Sequence, residues 1–346
     1  MDQESAQTKL DIENIVADIL SSIERERERE IIARRYGLYD RKETLEQIGE
    51  LLNITRERVR QLEKAVVSRL KTLGEKDLPV IKAFEETVIK HISEMGNVAR
   101  VSDISARLTP SNTKVDQSRV SFLAELSPGL SVIDDNDHFF HSIGIKMHHD
   151  EKKIKESIGN IVESIKKFNK PVTSIMIKEA TGHADEIAVA ALASVSKQLA
   201  SLGEQWGLVK WPLVNPKNIR DKIYVILRDN GKPMHFSEIA ASIRGSAFKR
   251  KDVTTQAIHN ELIKDKRFVL IGRGIYALNE WGYSKGTVAD IITKVLIEAK
   301  EPLHRDEIVK RVLKHRQVKE TTILLNLQGK KEFKRVAKAT YDLATK

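Results

Sequence analysis

One segment of the sequence carries side chains of the kinds that recognise base pairs in duplex DNA. In the stretch 55–64, Arg56, Glu57, Arg60 and Gln61 follow one another at intervals that place them on one face of a helix. Arginine can donate two hydrogen bonds to guanine, glutamine can pair with adenine, and glutamate can accept a hydrogen bond from cytosine. The same pattern is also typical of a helix face that contacts only water, and the residue types alone leave both interpretations open.

Local signals around this face predict a helix-turn-helix. Thr44 and Gln47 have the spacing of a capping box, which starts a helix at Leu45. After a short break, Thr55 is a suitable N-cap for a second helix, and Gly74 is placed to end it. A short helix, a tight turn and a longer second helix together form a helix-turn-helix.

Two further helices are predicted ahead of this motif. Apolar residues between Leu10 and Ile23 recur with helical spacing. Glutamate and arginine then alternate from Glu24 to Glu30, which is typical of a solvated helix with ion pairs between residues three or four apart. Gly37 is expected to end that helix.

Composition and motifs exclude several kinds of site. The 346 residues include no cysteine, which rules out disulfides, thiolate metal sites and cysteine nucleophiles. The sequence has no nucleophile elbow, phosphate loop or zinc-binding helix pattern. His138, His141, His148 and His149 lie among aspartates, and we interpret this stretch as a polar hairpin and linker rather than a metal site. We therefore expect no enzymatic activity and no metal, cofactor or small-molecule substrate.

Charge and hydropathy predict the compartment and the class of partner. Lys and Arg number 59 and Asp and Glu 49, a formal net charge of +10. A basic excess favours a polyanionic partner such as nucleic acid. No apolar run approaches the ~20 residues that cross a bilayer, and the N-terminal residues do not form a secretory signal. We expect a cytoplasmic, nucleoid-associated protein that does not contact membranes.

The rest of the chain contains an internal repeat. The stretch Gly231–Ile239 recurs as Lys300–Ile308, 69 positions later, and upstream as Gly96–Ile104 without a gap. A fourth, weaker copy begins at Asn169. Around each copy the pattern predicts one helix before it, two helices after it and a closing strand–turn–strand, which together make a winged helix.

The repeat predicts a fold class and the domain bounds. The fold is expected to be mainly α, with tandem helix-turn-helix and winged-helix domains and small β-hairpin wings. The aligned residues His235 and His304 are expected to cap or pack helices, because recurrence in a repeat favours a structural role. Arg273, in a Gly-Arg-Gly turn, is a candidate wing contact to a phosphate or the minor groove. The predicted domains are a helix-turn-helix at 1–77 and winged helices at 79–147, 150–214, 216–283 and 284–346.

Residues 20–73 resemble region 4 of sigma factors of the sigma-70 type. The resemblance rests on four stretches, Arg27–Ile31, Arg34–Leu38, Thr44–Gly49 and Thr55–Glu63. It implies a domain that binds the promoter −35 element and the flap of the RNA polymerase β subunit, with base contacts from Arg56, Glu57, Arg60 and Gln61. The phosphate contacts that it implies fall on Arg27, Arg35, Leu45, Glu46 and Lys71, and on Lys64, which neighbours a further basic family position.

Residues 216–283 resemble a second family, the HARE-HTH winged helix found in chromatin regulators, some restriction enzymes and the delta subunit of bacterial RNA polymerase. The resemblance rests on Ile219–Arg220, Gly231–Ile239 and Phe268–Leu278. This resemblance implies a link to transcription machinery or to DNA, and it transfers no role to a particular residue.

Together these features predict a sequence-specific DNA-binding transcription factor that is sigma-like and contacts RNA polymerase. Sigma factors melt the −10 element with a domain that precedes region 4, and about 20 residues precede it here, so we do not expect a complete initiation factor. Two alternatives remain open. One is a module that binds RNA polymerase without reading DNA, and the other is the DNA-targeting subunit of a restriction or defence system.

Overall fold

A computed structural model describes residues 10–76, 79–148, 150–248 and 252–344, with only the backbone at 74–76. Contacts divide the chain into two compact units, Met1–Val209 (unit 1) and Lys210–Lys346 (unit 2). The described residues are mainly helical, with small antiparallel three-stranded sheets. This confirms the predicted fold class.

Unit 1 begins with four helices that include the predicted helix-turn-helix. Thr44 and Gln47 form both hydrogen bonds of the capping box, and Thr55 accepts a hydrogen bond from the amide of Arg58, as predicted. Gly37 ends the second helix in a left-handed conformation. The helices are α1 (Ile12–Ser21), α2 (Glu26–Tyr36), α3 (Leu45–Leu52) and α4 (Arg56–Lys76).

Two local predictions in this region are wrong. Gly74 does not end α4, which continues to Lys76, since a glycine inside a helix costs only about 1 kcal/mol relative to alanine. The alternating Glu-Arg run is not solvated throughout. Glu28 is buried, and its carboxylate pairs with Arg25 at 3.3 Å and with Arg69 of α4 at 2.6 Å. The run therefore helps to hold α2 against α4.

Two repeats complete unit 1, and both have the order helix, strand, helix, helix, strand, strand. In each sheet the last strand lies between the other two, so that the closing hairpin is joined to the strand that precedes the second helix. The first repeat consists of α5 (Pro79–Glu94), β1 (Val98–Arg100), α6 (Val101–Leu108), α7 (Lys114–Leu126), β2 (Leu130–Ile133) and β3 (Ser142–Ile145). The second consists of α8 (Glu151–Phe168), β4 (Val172–Thr173), α9 (Ser174–Thr181), α10 (Glu186–Val195), β5 (Leu199–Leu202) and β6 (Gln205–Leu208).

Unit 2 contains two more repeats with the same element order and the same strand order. The third consists of α11 (Ile219–Asn230), β7 (Met234–His235), α12 (Phe236–Gly245), α13 (Thr255–Lys264), β8 (Phe268–Leu270) and β9 (Ile275–Leu278). The fourth consists of α14 (Val288–Ala299), β10 (Leu303–His304), α15 (Arg305–His315), α16 (Glu320–Gly329), β11 (Phe333–Ala337) and β12 (Thr340–Leu343).

The recurring histidines cap helices, as predicted from the repeat. The ring nitrogen Nδ1 of His235 accepts a hydrogen bond from the amide of Ser237 at 3.3 Å, and His304 accepts one from the amide of Asp306 at 3.4 Å. Each histidine therefore satisfies an amide that the first turn of its helix leaves without a partner.

In unit 1, one hydrophobic core joins the helix-turn-helix region to the first repeat. It contains buried residues of α1, α2, α4, α5, α6 and α7. Arg119 of α7 is buried, and it donates a hydrogen bond to the carbonyl of Leu38 at 2.8 Å and pairs with Glu13 at 2.9 Å. The third helix of the first repeat thus packs against the elements that carry the predicted base-reading face.

Candidate nucleic-acid interface

The predicted base-reading residues lie together on the first turns of α4. Arg56, Glu57, Arg60 and Gln61 are all exposed, and Lys64 continues the same face one turn later. On the opposite side, Val59, Val66 and Leu70 are buried, which fixes the orientation of the helix. The sequence prediction of an amphipathic second helix with a polar outer face is therefore confirmed in geometry.

Arg60 and Glu57 form a two-pronged ion pair on this face. Nε of Arg60 lies 2.9 Å from one carboxylate oxygen of Glu57, and Nη2 lies 2.7 Å from the other. Hydrogen bonding to Arg60 holds the pKa of Glu57 below its ordinary value, and the same bonds raise the pKa of Arg60. Both side chains remain about half exposed. The pair orders two recognition-type side chains without removing them from solvent.

Arg58 belongs to the same cluster, although the sequence prediction did not include it. Its side chain is exposed, and Nη1 donates a hydrogen bond to Oε1 of Gln61 at 3.4 Å. The signal that could have found it is the three-residue spacing from Gln61. Arg58 thus adds a third arginine to the N-terminal half of α4, beside Arg56 and Arg60.

A close approach of backbones sets the angle between α3 and α4. A side-chain carbon added to Gly49 would lie 2.7 Å from the carbonyl oxygen of Ile54, closer than carbon and oxygen approach without displacement. Ile31, Ile48 and Val59 form a small buried cluster beneath the turn. These contacts fix α4 relative to α3, which a helix entering a groove requires.

Two of the predicted phosphate contacts lie at the N-terminus of α3. The capping box engages the amides of Thr44 and Gln47, so the amides of Leu45 and Glu46 have no partner in the described part of the chain. Amides at a helix N-terminus, together with the helix dipole, favour an anion. Leu45 and Glu46 therefore offer backbone rather than side-chain groups to a phosphate.

The other residues predicted to contact phosphate differ in how strongly they are already bound within the fold. Arg27 is exposed and donates to the carbonyl of Leu52 at the end of α3. Arg35 is bound within the fold, with Nε 3.3 Å from Glu63 and Nη1 bonded to the carbonyl of Glu43. Lys71 pairs with Glu125 of α7. Lys64 is exposed and forms no salt bridge among the described residues, so it is the cation with the most freedom to reach a phosphate.

The other residues that the sequence singled out do not lie on the exposed face of α4. Arg273 is exposed in the turn between β8 and β9 of unit 2. His141 bonds through Nε2 to the hydroxyl of Ser121 at 2.8 Å, and His138 contacts Gln198 at 3.1 Å. His149 lies outside the described residues. Among the described residues, no cluster of histidine and carboxylate side chains could hold a metal ion, and no helix is long and apolar enough to cross a membrane.

Comparison with known proteins identifies the helix-turn-helix region. Residues 25–72 match the family described as sigma-70, region 4, which confirms the resemblance predicted from the sequence. The chain is 47% identical over 62 residues to the RNA polymerase sigma factor SigA of Microcystis aeruginosa, covering 18% of this chain and 14% of that protein. It is 44% identical over 64 residues to the sigma factor RpoD of Helicobacter pylori, covering 17% of this chain and 10% of that protein. The chain thus spans about a seventh or less of the length of these relatives.

Proposed function

We propose that this protein is a sequence-specific DNA-binding transcription factor whose region 4-like domain recognises promoter DNA of the −35 type. The observation that carries the proposal is the exposed face of α4, on which Arg56, Glu57, Arg60 and Gln61 stand together with Arg60 and Glu57 already paired. Such a pair can place the arginine fork toward guanine while the carboxylate is oriented toward a neighbouring base. The role needs no catalytic group, and we infer a non-enzymatic regulator.

Phosphate contacts position this helix in the groove. The sugar-phosphate backbone of the DNA would be contacted on either side of α4 by the amides of Leu45 and Glu46 and by the side chains of Arg27 and Lys64. Arg35 and Lys71 would contribute mainly by holding the fold, because each is already paired with a carboxylate. Arg273 at its hairpin turn is a further candidate contact, made by unit 2.

We also propose that the region 4-like domain contacts RNA polymerase at the β flap, as its resemblance implies. The four repeats would form winged-helix domains at 79–147, 150–214, 216–283 and 284–346, the third of the HARE-HTH type. This organisation is supported by the common element order and strand order. Such a protein would act in the cytoplasm at the nucleoid. Co-purification of RNA polymerase with this protein from cells tests the contact. If the protein does not retain polymerase, the proposed contact is contradicted.

Substitution of Arg60 tests the base-reading assignment. Arg60→Ala should weaken binding to a −35-type duplex by ~1–3 kcal/mol and relax preference at one base pair, because one two-pronged base contact is lost. Arg107→Ala is the matched control, since Arg107 is also an exposed arginine paired with a glutamate, Glu94 at 3.3 Å, but lies on α6. Fluorescence anisotropy measures both. Unchanged affinity and unchanged base preference in Arg60→Ala would refute the assignment.

A further inference from the structure

The third helix of the repeats is used in two different ways. In the first repeat, α7 is buried on several sides, and Phe122 packs against Tyr36 with ring centroids 4.9 Å apart. In the second, the carbonyl of Ser194 in α10 accepts a hydrogen bond from Nε of Arg100 at 2.6 Å. In a winged helix this third helix is the one that would enter a groove. Within unit 1, it is instead occupied by protein contacts.

In unit 2, the third helices are covered on one side only. The buried residues of α13 are Ile258 and Leu262, and those of α16 are Ile323 and Leu327. The other side of each helix faces solvent within the described residues. Unit 2 therefore keeps open the part of the fold that unit 1 uses for internal packing.

The charge of the chain follows the same division. Unit 1 contains 30 Lys and Arg residues against 34 Asp and Glu residues, a formal net charge of −4. Unit 2 contains 29 against 15, a net charge of +14. The whole basic excess of the protein thus resides in unit 2, and an attractive potential for a polyanion is expected there.

The formal charge of the closing hairpins also rises from unit 1 to unit 2. From the start of the first hairpin strand to the end of the second, the formal charges of the four hairpins are −3, −1, +1 and +2. In the fourth repeat, the stretch 330–338 has five Lys and Arg residues against one Glu. All of these basic residues are exposed, and in the described part of unit 2 no salt bridge is formed by Lys330, Lys331, Arg335 or Lys338. These four side chains form the basic wing.

The exposed side of α16 has a different character. The helix contains no lysine or arginine, and its exposed residues include Glu320, Thr321, Leu325 and Gln328. A helix without cations adds no charge-based attraction to phosphates, so the side chains of α16 do not account for the basic character of unit 2. In this repeat, basic side chains lie on α15 and in the loop after it, among them Lys310, Lys314 and Lys319, and also on the hairpin and the two lysines that follow α16. Of these two groups, the second is the one that a wing would present to a polyanion.

We infer that unit 2 is a second DNA-binding region, in which the basic wing holds the phosphate backbone of duplex DNA without sequence preference. This inference does not depend on base recognition by α4, because the wing belongs to another unit and contacts another part of the nucleic acid. It assigns the third helices α7 and α10 to protein packing. It assigns attraction to DNA to a surface that the region 4 resemblance does not cover.

The test is a salt series of anisotropy titrations of the full chain with a labelled duplex that lacks a −35 sequence. The variant replaces Lys330, Lys331, Arg335 and Lys338 together by alanine. Loss of about four phosphate contacts should make the plot of log K against log salt less steep by about 3 to 4, and binding at ~150 mM salt should weaken by about tenfold or more. Thermal unfolding should not change, because all four side chains are exposed.

The matched control removes four exposed lysines from α8 of unit 1, namely Lys152, Lys153, Lys166 and Lys167, with the same change in net charge. Its affinity and salt slope should stay near those of the unaltered chain. An unchanged slope in the wing variant would overturn the inference, as would equal weakening in the control. A second variant, Lys330→Glu with Lys331→Glu, lies outside the strands and should weaken binding even if the fourfold variant folds poorly.

The nucleic-acid class and the independence from α4 are tested in the same assay. Equal or tighter binding to an RNA duplex or to single strands would overturn the assignment to duplex DNA. The wing variant should weaken binding to −35-type and scrambled duplexes by the same factor, whereas Arg60→Ala should reduce only the preference between them. Failure of either proposal can therefore be recognised without failure of the other.

Discussion

The same repeat position serves packing in unit 1 and remains open in unit 2. Gly96 and Gly231 both follow the first helix of a repeat, and both have positive φ, +96° and +65°. A carbon added at Gly96 would lie 2.7 Å from the carbonyl oxygen of Ile187 and 2.9 Å from Cα of Ala188, both in α10, whereas nothing lies within 4 Å of one added at Gly231. At this position the first repeat is therefore packed against the second, whereas the third repeat is open.

The N-cap of the second helix sets the first repeat apart from the other three. In the second repeat, the side chain of Thr173 caps α9. In unit 2, His235 and His304 cap α12 and α15. In the first repeat the equivalent residue is Arg100, which makes no side-chain cap. Its guanidinium instead bonds to Ser194 of α10 and lies 3.9 Å from the ring centroid of Phe140. A repeat can thus exchange a local cap for a contact to the next repeat.

Alanine at the two equivalent glycines should give the largest difference between the units. Gly96→Ala should lower the free energy of unfolding by about 2–5 kcal/mol, since it adds overlap with the backbone of α10 to the cost of positive φ. Gly231→Ala should cost only about 1–2 kcal/mol, from φ alone. Denaturant unfolding measures both. Equal losses would contradict the close packing of α10.

Removal of the arginine that docks α10 should have the next largest effect. Arg100→Ala should cost about 1.5–3 kcal/mol of stability, because the carbonyl of Ser194 loses a charged donor. Burial lowers the pKa of Arg100, in agreement with a side chain that is partly removed from water. A loss below about 0.5 kcal/mol in chemical denaturation would show that this contact does not hold the second repeat in place.

The histidine cap in unit 2 should matter less. His235→Ala should destabilise the fold by about 0.5–2 kcal/mol, the usual range for a lost N-cap, and His235→Ser should recover most of it because serine caps well. Thermal unfolding of the two variants provides the comparison. If serine and alanine are equally destabilising, the cap is not the role of this histidine.

The smallest expected effect is the pH dependence that His141 of unit 1 contributes. Burial lowers the pKa of His141 in the folded chain, so the folded state binds this proton less readily than the unfolded state. The stability due to the neutral ring is fully present above about pH 6.5 and is lost as pH falls through the folded pKa. His141→Asn, which keeps a polar group near Ser121 but does not titrate, should show a flatter loss of unfolding free energy below pH 6.5. An identical pH profile in both proteins would show that His141 does not contribute to the pH dependence of stability.

The sequence predicted those features that depend on neighbours in the chain. The capping box of Thr44 and Gln47, the turn at Gly37 and the polar face of α4 are local, and local signals located them. The continuation of α4 past Gly74 was missed, because a local stop signal costs less than the rest of the helix gains. The packing of α7 was also missed. Arg119 reaches Leu38, 81 residues away, and no spacing in the sequence encodes that contact.

The same limit applies to the candidate site: its local features were predicted, and its contacts between separate helices were not. Residue types on α4 predicted a face, and the helix brought Arg56, Glu57, Arg60 and Gln61 together. The pairing of Arg60 with Glu57 follows from their spacing, whereas the engagement of Arg35 by Glu63 and of Lys71 by Glu125 depends on how separate helices meet. The basic wing of the fourth repeat was not predicted from the sequence, since the exposure of these side chains on a hairpin depends on the fold.

The most direct measurement is a fluorescence-anisotropy titration of the full chain against a −35-type duplex and a scrambled duplex of equal length across a salt series. Base recognition by α4 predicts tighter binding to the −35-type duplex at every salt concentration, with both affinities falling as salt rises. Equal affinity for the two duplexes would contradict recognition of promoter DNA by the region 4-like domain.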